Sequence, residues 1–304
     1  MANEVLYSGL GDLSVAAALH RQIEVLHADR ASLMNHPAIR YYGDIAGTGS
    51  DAGKVSLAGL AGYDRMGAVA EGSSTSNTAL TDASTTITVA RQALQRQVSD
   101  LAGMADAMGL VPALAADAVG SAEMRFTELV AELVGDFTSS VGSTGVDLSV
   151  DNFFDAIFTL TQASVGGPLL AVLYPTQVTD LQNSIRAEAG ALQFMAATQD
   201  MLTAKGQGFA GSFAGVDIFA SSLVPANPAA DSDGGMFGYG AIGFKDGTPA
   251  PILGAGGLRY DAGTKIFTEF ERDSAAGLTK LVYNYYVGVA IIEDGRGCAI
   301  TTDR

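Results

Sequence analysis

The sequence predicts a mixed α+β chain, and three observations carry that prediction. Apolar residues recur at helical spacing in two separate stretches, near the N-terminus and across residues 112–136. Between about 146 and 225, helix-like and strand-like segments alternate, as in an α/β layer. From about 237 onward the chain reads as strands, notably KIFTEFERD, KLVYNYYVGVAIIED and CAITTD.

The elements follow in order. Residues 1–11 read as an extended, Gly-containing arm, with Asp12 as a helix N-cap. Ala16, Leu19, Ile23, Leu26 and Leu33 then recur at steps of three, four and seven, an amphipathic helix. It should stop before His36-Pro37, because the residue preceding Pro avoids the helical region. From Gly43 to Gly72 glycines break every helical run, and KVSLAGL and TTITVAR alternate like short strands. The stretch from about 46 to 90 therefore reads as a long two-stranded excursion with a polar tip. Such a hairpin is only marginally stable alone and needs a partner surface, which another chain can supply. A helical region is expected over 91–108. Pro112 suits the first turn of a longer helix running to about 136.

SSVGSTG at 139–145 marks a boundary. After it NFFDAIFTL reads as a helix, and PLLAVLYP as a buried strand ending at Pro175. TQVTDLQNSIRAEAG reads as a helix and GVDIFASSLVP as a strand, while PANPAADSDGG reads as an exposed turn region.

Composition narrows the function. The chain has 304 residues, 48% hydrophobic and only 16% charged, against about a quarter charged in ordinary soluble proteins. A low-charge surface suits a subunit that covers itself with copies of itself. The net charge of −16 argues against a nucleic-acid-gripping surface, since DNA affinity comes mainly from neutralised phosphates. Between Phe126 and Ile185 there is no Lys or Arg, yet Glu128, Glu132, Asp136, Asp147, Asp151, Asp155 and Asp180 lie there. Cys298 is the one cysteine, read as a buried structural thiol. MANEVLYSGLGDLS has no basic n-region and no apolar core, so no signal peptide is expected. No apolar run reaches the roughly 18 residues of a membrane span.

No motif specifies catalysis. TGSDAGKV lacks the first Gly of a phosphate loop, having Thr48, and has Val55 where Ser or Thr should follow Lys54. DSDGG at 231–235 starts like a calcium loop, but Gly235 and Ile242 stand where ligands should be. His20, Glu24 and His27 share one helix face, more simply a solvated face or subunit contact than a metal site. His36 is assigned to local turn chemistry. Tyr41, Tyr42, Tyr283, Tyr285 and Tyr286 are assigned to core or interface packing, because few cations interleave them. No catalytic, cofactor-binding or metal residues are expected, and the chain is not read as an enzyme.

The ordered set of elements resembles the Hong Kong 97-type major capsid proteins of tailed bacteriophages. TTITVARQALQRQVSDLAGM resembles the return of that family's extended loop, and VPALAADAVGSAEMRFTELVAELV its long spine helix. AVLYPTQVTDLQNSIR and GVDIFASSLVP resemble axial-domain elements, and YNYYVGVAIIEDGRGCAITTD the final peripheral-domain strands. The resemblance implies an α+β capsid fold divided as N-terminal arm and helix (1–45), extended loop (46–90), peripheral domain with spine helix (91–140), axial domain (141–250) and closing strands, mainly peripheral (251–304). It implies hexamers and pentamers closing into an icosahedral shell around double-stranded DNA, enclosed without sequence-specific binding. Scaffolding, portal and decoration proteins are further partners it implies. Location would be the virion capsid, assembled in the host cytoplasm, with no membrane. Interface residues expected on this reading are Leu19, Ile23 and Leu26 in the arm helix, Lys54, Tyr63, Arg65 and Met66 in the loop, and Arg91 and Arg96 in its return. Some family members crosslink a loop Lys to a neighbour's Asn. Lys54 is the only Lys before Lys205 and Asn284 lies in the late strands, but no motif pairs them. An encapsulin-type compartment shares the resemblance, and a surface or adhesin-like structural protein is the reading from a different class.

Overall fold

The computed structural model describes residues 33–46, 48–56, 68–74, 84–100, 110–187, 194–205, 208–227, 231–248, 258–259 and 266–303. The arm helix, with Leu19, Ile23 and Leu26, lies outside the described residues, as do His20, Glu24, His27, Tyr63, Arg65 and Met66.

Two sheets organise the chain. The first runs β1 (Arg40–Asp44), β11 (Ile242–Asp246), β14 (Leu278–Ile291), β13 (Ile266–Asp273) and β12 (Leu258–Arg259), with β4 (Ala90–Ser99) also on β14. The second has seven strands: β5 (Ser140–Gly142), β15 (Gly297–Thr302), β10 (Ser232–Phe237), β6 (Leu169–Leu173), β9 (Val216–Ala220), β8 (Phe209–Phe213) and β7 (Met195–Ala196). A separate hairpin pairs β2 (Ala52–Ser56) with β3 (Ser84–Thr88).

Helix α1 (Leu110–Val134) joins the sheets, touching β13 and β14 of the first and β10 and β15 of the second. Its 25 residues carry one apolar stripe, with Ala115, Val119, Phe126, Val130 and Val134 almost fully buried. Phe126 meets Phe244 edge-on at 5.3 Å, which ties the helix to β11. Helices α2 (Val150–Gln162) and α3 (Pro175–Ala187) share a second core with the seven-stranded sheet. Ser149 caps α2 by accepting the Asn152 amide. A short helix, α4 (Gln199–Lys205), precedes β8.

Two expectations are corrected. Residues 90–99 form a strand, not the start of a helix over 91–108; all ten pair with β14, from Val287↔Ala90 to Leu278↔Ser99. Arg, Gln, Ala and Leu are good helix formers, but ten residues of strand pairing outweigh a propensity of a few tenths of a kcal/mol per residue. Ser232–Phe237 is likewise an inner strand and not part of an exposed turn region. The two glycines there permit close approach. A Cβ at Gly234 would lie 2.7 Å from Gln177 Oε1, and one at Gly235 2.6 Å from the Val134 carbonyl oxygen.

The helices expected at 112–136, NFFDAIFTL and TQVTDLQNSIRAEAG and the strands expected at PLLAVLYP, KIFTEFERD, KLVYNYYVGVAIIED and CAITTD fall within about three residues of the observed ones. The GVDIFASSLVP strand ends early, at Ala220, Ser140–Gly142 pairs as a strand inside the expected linker, and β7, α4 and β8 were not expected. Strand β15, at the end of the chain, leaves the first sheet and pairs with β10 and β5. Among the described residues no helix is long and apolar enough to cross a membrane.

Candidate assembly surfaces

Among the described residues the hairpin rests on a small apolar cluster. Val55 and Ile87 are buried against Ile292, with Tyr42 and Ala290 beside them. At its root Thr88 crosses β14 at Gly288, where a Cβ would lie 2.1 Å from the Thr88 carbonyl oxygen, so only Gly fits. Ser56 and Ser84 face each other in register at the last described pair. Lys54 is exposed on β2 and opposes Thr86. It lies in a strand and not at a helix N-terminus, so TGSDAGKV does not build a phosphate cradle.

Arg91 and Arg96 are five residues apart on β4 and address opposite faces of the sheet. Arg91 Nε donates to Asn284 Oδ1 at 2.7 Å, and the buried Asn284 donates on to Glu269 at 2.8 Å. Arg96 makes a bidentate pair with Asp117 of α1, at 2.7 and 2.8 Å. Both cations thus have partners within the chain. No strand covers the far edge of β4 among the described residues. An uncovered strand edge is a template for pairing with another chain.

A groove of about 420 Å³ opens between β4 and α1. Leu94, Ala118, Ala122, Met124, Tyr283 and Tyr285 line it, and Met124 is 61% exposed. Tyr283 and Tyr285 are buried, so their rings pack as the sequence implies; the Tyr283 hydroxyl donates to the Leu114 carbonyl at 3.0 Å. Burial pushes both phenols well above their ordinary pKa.

Helix α2 exposes a second apolar face that sequence reading missed. Val150, Phe153, Ala156 and Leu160 point inward, while Phe154 is 40% and Phe158 60% exposed. The signal is in the letters: in NFFDAIFTL, Phe154 and Phe158 are four apart, on a different face from Phe153. Asp151 and Asp155 are exposed on the same helix. Phe154 also packs against Phe213 of β8 at 5.7 Å, which leaves Phe158 the more exposed ring of this face.

Cys298 and the DSDGG carboxylates have structural places. Cys298 is fully buried, and burial pushes its thiol up to about 11. Asp231 Oδ1 accepts the Gly145 amide and Asp233 Oδ1 the Thr301 hydroxyl, so DSDGG spends its carboxylates on the fold. No group of three metal-ligating side chains occurs among the described residues.

No family model matches the chain, and no curated protein matches it. Solved structures do. A structure from Mycobacterium phage Che8 aligns with TM-score 0.54 at 15% identity, over 83% of this chain and 84% of that one. The capsid of Ralstonia phage GP4 aligns with TM-score 0.57 at 12% identity, over 87% and 86%. The holo-SrpI encapsulin complex from Synechococcus elongatus aligns with TM-score 0.58 at 9% identity, over 86% and 84%. Across most of its length, this chain has the α+β fold of tailed-phage capsid subunits.

Proposed function

We propose that the chain is a major capsid protein: a structural subunit, not an enzyme, that self-assembles as hexamers and pentamers into an icosahedral shell around the double-stranded DNA of a tailed phage. The observation that carries this reading is the fold match over more than four-fifths of both chains with phage structures, the capsid of Ralstonia phage GP4 among them. In the terms of that fold, residues 1–45 are the arm, 46–90 the extended loop, 91–140 the peripheral domain with α1 as spine helix, 141–250 the axial domain, and 251–304 the closing strands.

The surfaces described above fit the role. A hairpin whose described residues bury Val55 and Ile87 against Ile292 gains further stability from a neighbour, through packing or strand addition. The β4 edge, the groove beside α1 and the Phe154–Phe158 face are surfaces that copies of the chain would cover. Interfaces of this kind total roughly 2,000 Å² or more per subunit, and closed symmetry ends growth. Leu19, Ile23, Leu26, Lys54, Tyr63, Arg65 and Met66 remain the proposed contacts of arm and loop. Arg91 and Arg96 are likewise proposed contacts of the loop's return, where their intrachain bonds hold β4 on its sheet and on α1. With a net charge of −16 the wall repels packaged DNA and does not grip it. Scaffolding, portal and decoration proteins are the further partners, and assembly takes place in the host cytoplasm.

The encapsulin match supports a second reading, a compartment loaded with protein. Nuclease treatment of particles from producing cells separates the two. Protected double-stranded DNA of uniform length fits the phage capsid; particles holding protein and no DNA fit the compartment. Chain that never sediments as particles contradicts both.

A further inference from the structure

One side chain ties the turn before β1 to the seven-stranded sheet. His36 sits in the turn Leu33–Ile39, whose backbone bonds run from the His36 amide to the Leu33 carbonyl and from the Ile39 amide to the His36 carbonyl. Its side chain is 4% exposed. Nδ1 lies 3.2 Å from the Ala38 amide, and Nε2 lies 3.1 Å from Asp217 Oδ2 on β9. A backbone N–H can only donate, so Nδ1 must be the unprotonated nitrogen. A neutral ring then carries its proton on Nε2 and donates it to Asp217. Asp217 is already paired: both its oxygens lie 2.7 Å from Lys205 Nζ, at the end of α4. Phe219 closes the pocket, its ring edge-on to the imidazole at 5.9 Å.

We propose that His36 is a proton-operated latch on the turn that leads into β1: the neutral imidazole closes the turn by accepting the Ala38 amide at Nδ1, and protonation opens the turn while the Nε2 tie to Asp217 of β9 stays in place. Protonation adds a hydrogen at Nδ1, where it confronts the Ala38 amide, and two donors cannot share that space. The Nε2–Asp217 contact survives, so the failing element is the turn at residues 36–39. The charged groups facing the ring are Asp217 from β9 and Lys205 from α4; burial holds the imidazole below its ordinary 6.5, the Asp217 contact opposes this and Lys205 adds to it. An opened chain therefore takes the proton first. The closed state is fully favoured above about pH 6.5 and loses ground as pH falls from there to the folded-state value, below which the penalty is constant. Nothing in this device depends on the shell reading.

Hydrogen–deuterium exchange of the full chain, followed by mass spectrometry on peptides spanning 33–39 and 216–220, tests the latch. After correction for intrinsic exchange, protection at Ala38 and Ile39 should fall as pH is lowered from about 7.5 to about 5, with the loss beginning near 6.5. Protection of β9 should hold. His36→Asn places an amide oxygen where Nδ1 stands, keeps the Ala38 bond and cannot titrate, so its turn should show a flat profile. Exchange at the imidazole C2 carbon of the wild type supplies the ring's own midpoint, which should lie below 6.5 and coincide with the loss of turn protection. A flat wild-type profile, an Asn variant with the wild-type profile, or a ring midpoint at or above 6.5 would each overturn the proposal.

Discussion

Gln177 pins α3 to the seven-stranded sheet, and changing it to Glu makes that dependence measurable. The residue is fully buried. Its Oε1 accepts the Tyr174 amide at 2.9 Å, and Nε2 faces the Ser232 carbonyl at 3.1 Å, the Ile300 carbonyl at 3.2 Å and the Thr302 hydroxyl at 2.8 Å. Gln177→Glu keeps the shape and replaces the donor with an oxygen aimed at two carbonyl acceptors. A carboxylate there is desolvated and unpaired, so its pKa rises by roughly 3 units. Such a group is protonated in the folded chain and ionised in the unfolded one above about pH 4.3. Stability is therefore lost as pH rises from about 4.3 toward the folded-state pKa. Relative to wild type the penalty should be about 1 kcal/mol near pH 4.5, where a hydroxyl replaces one donor, and about 4 kcal/mol at pH 7. Gln177→Leu, which only leaves partners unsatisfied, should cost about 3 kcal/mol at both pH values. Urea denaturation of dissociated subunits, followed by far-ultraviolet circular dichroism, reads both. A Glu variant whose penalty is flat with pH, or below about 1 kcal/mol at pH 7, would refute the reasoning.

Three further outcomes follow. Replacing residues 57–83 with Asn-Gly should let Ser56 and Ser84, already opposite each other, close a short hairpin; the subunit should fold with wild-type circular dichroism but form no shells, and normal shells would remove the loop from the assembly account. Phe158→Asp alters a 60% exposed ring, so urea stability should stay within about 0.5 kcal/mol while sedimenting particles are lost; full particle yield would clear that face of an assembly role. Cys298, buried and with its thiol pushed up to about 11, should resist a disulfide reagent near pH 8 until the chain is unfolded in urea. Stoichiometric labelling of the folded protein would contradict its placement.

Legibility in the sequence followed the physics of each segment. LLAVL, TQVTDLQNSIR and KLVYNYYVGVAII announce themselves, because their apolar patterns match the element they form. Strand β4 does not: RQALQRQ is built of helix formers, and only its pairing along β14 makes it a strand. Strand β10 was hidden by polar and glycine letters, whose meaning appears only once Gln177 and Val134 are seen to approach its backbone. The aromatic face of α2 was legible in principle, since Phe153, Phe154 and Phe158 cannot all point inward from one helix. Long-range polar partnerships were out of reach: His36 and Asp217 are 181 residues apart, and Arg91 meets Asn284 across 193. Of the expected contact residues, Lys54, Arg91 and Arg96 lie among the described residues, and each arginine has a partner within the chain that lies far from it in sequence.

The central claim is that copies of this chain close into a shell. Negative-stain electron microscopy of the purified protein, with light scattering on the same sample, tests it most directly. The account predicts closed, uniform particles or rings of five and six subunits. A monomer that persists across concentration and salt, even with a scaffolding protein supplied, would contradict it.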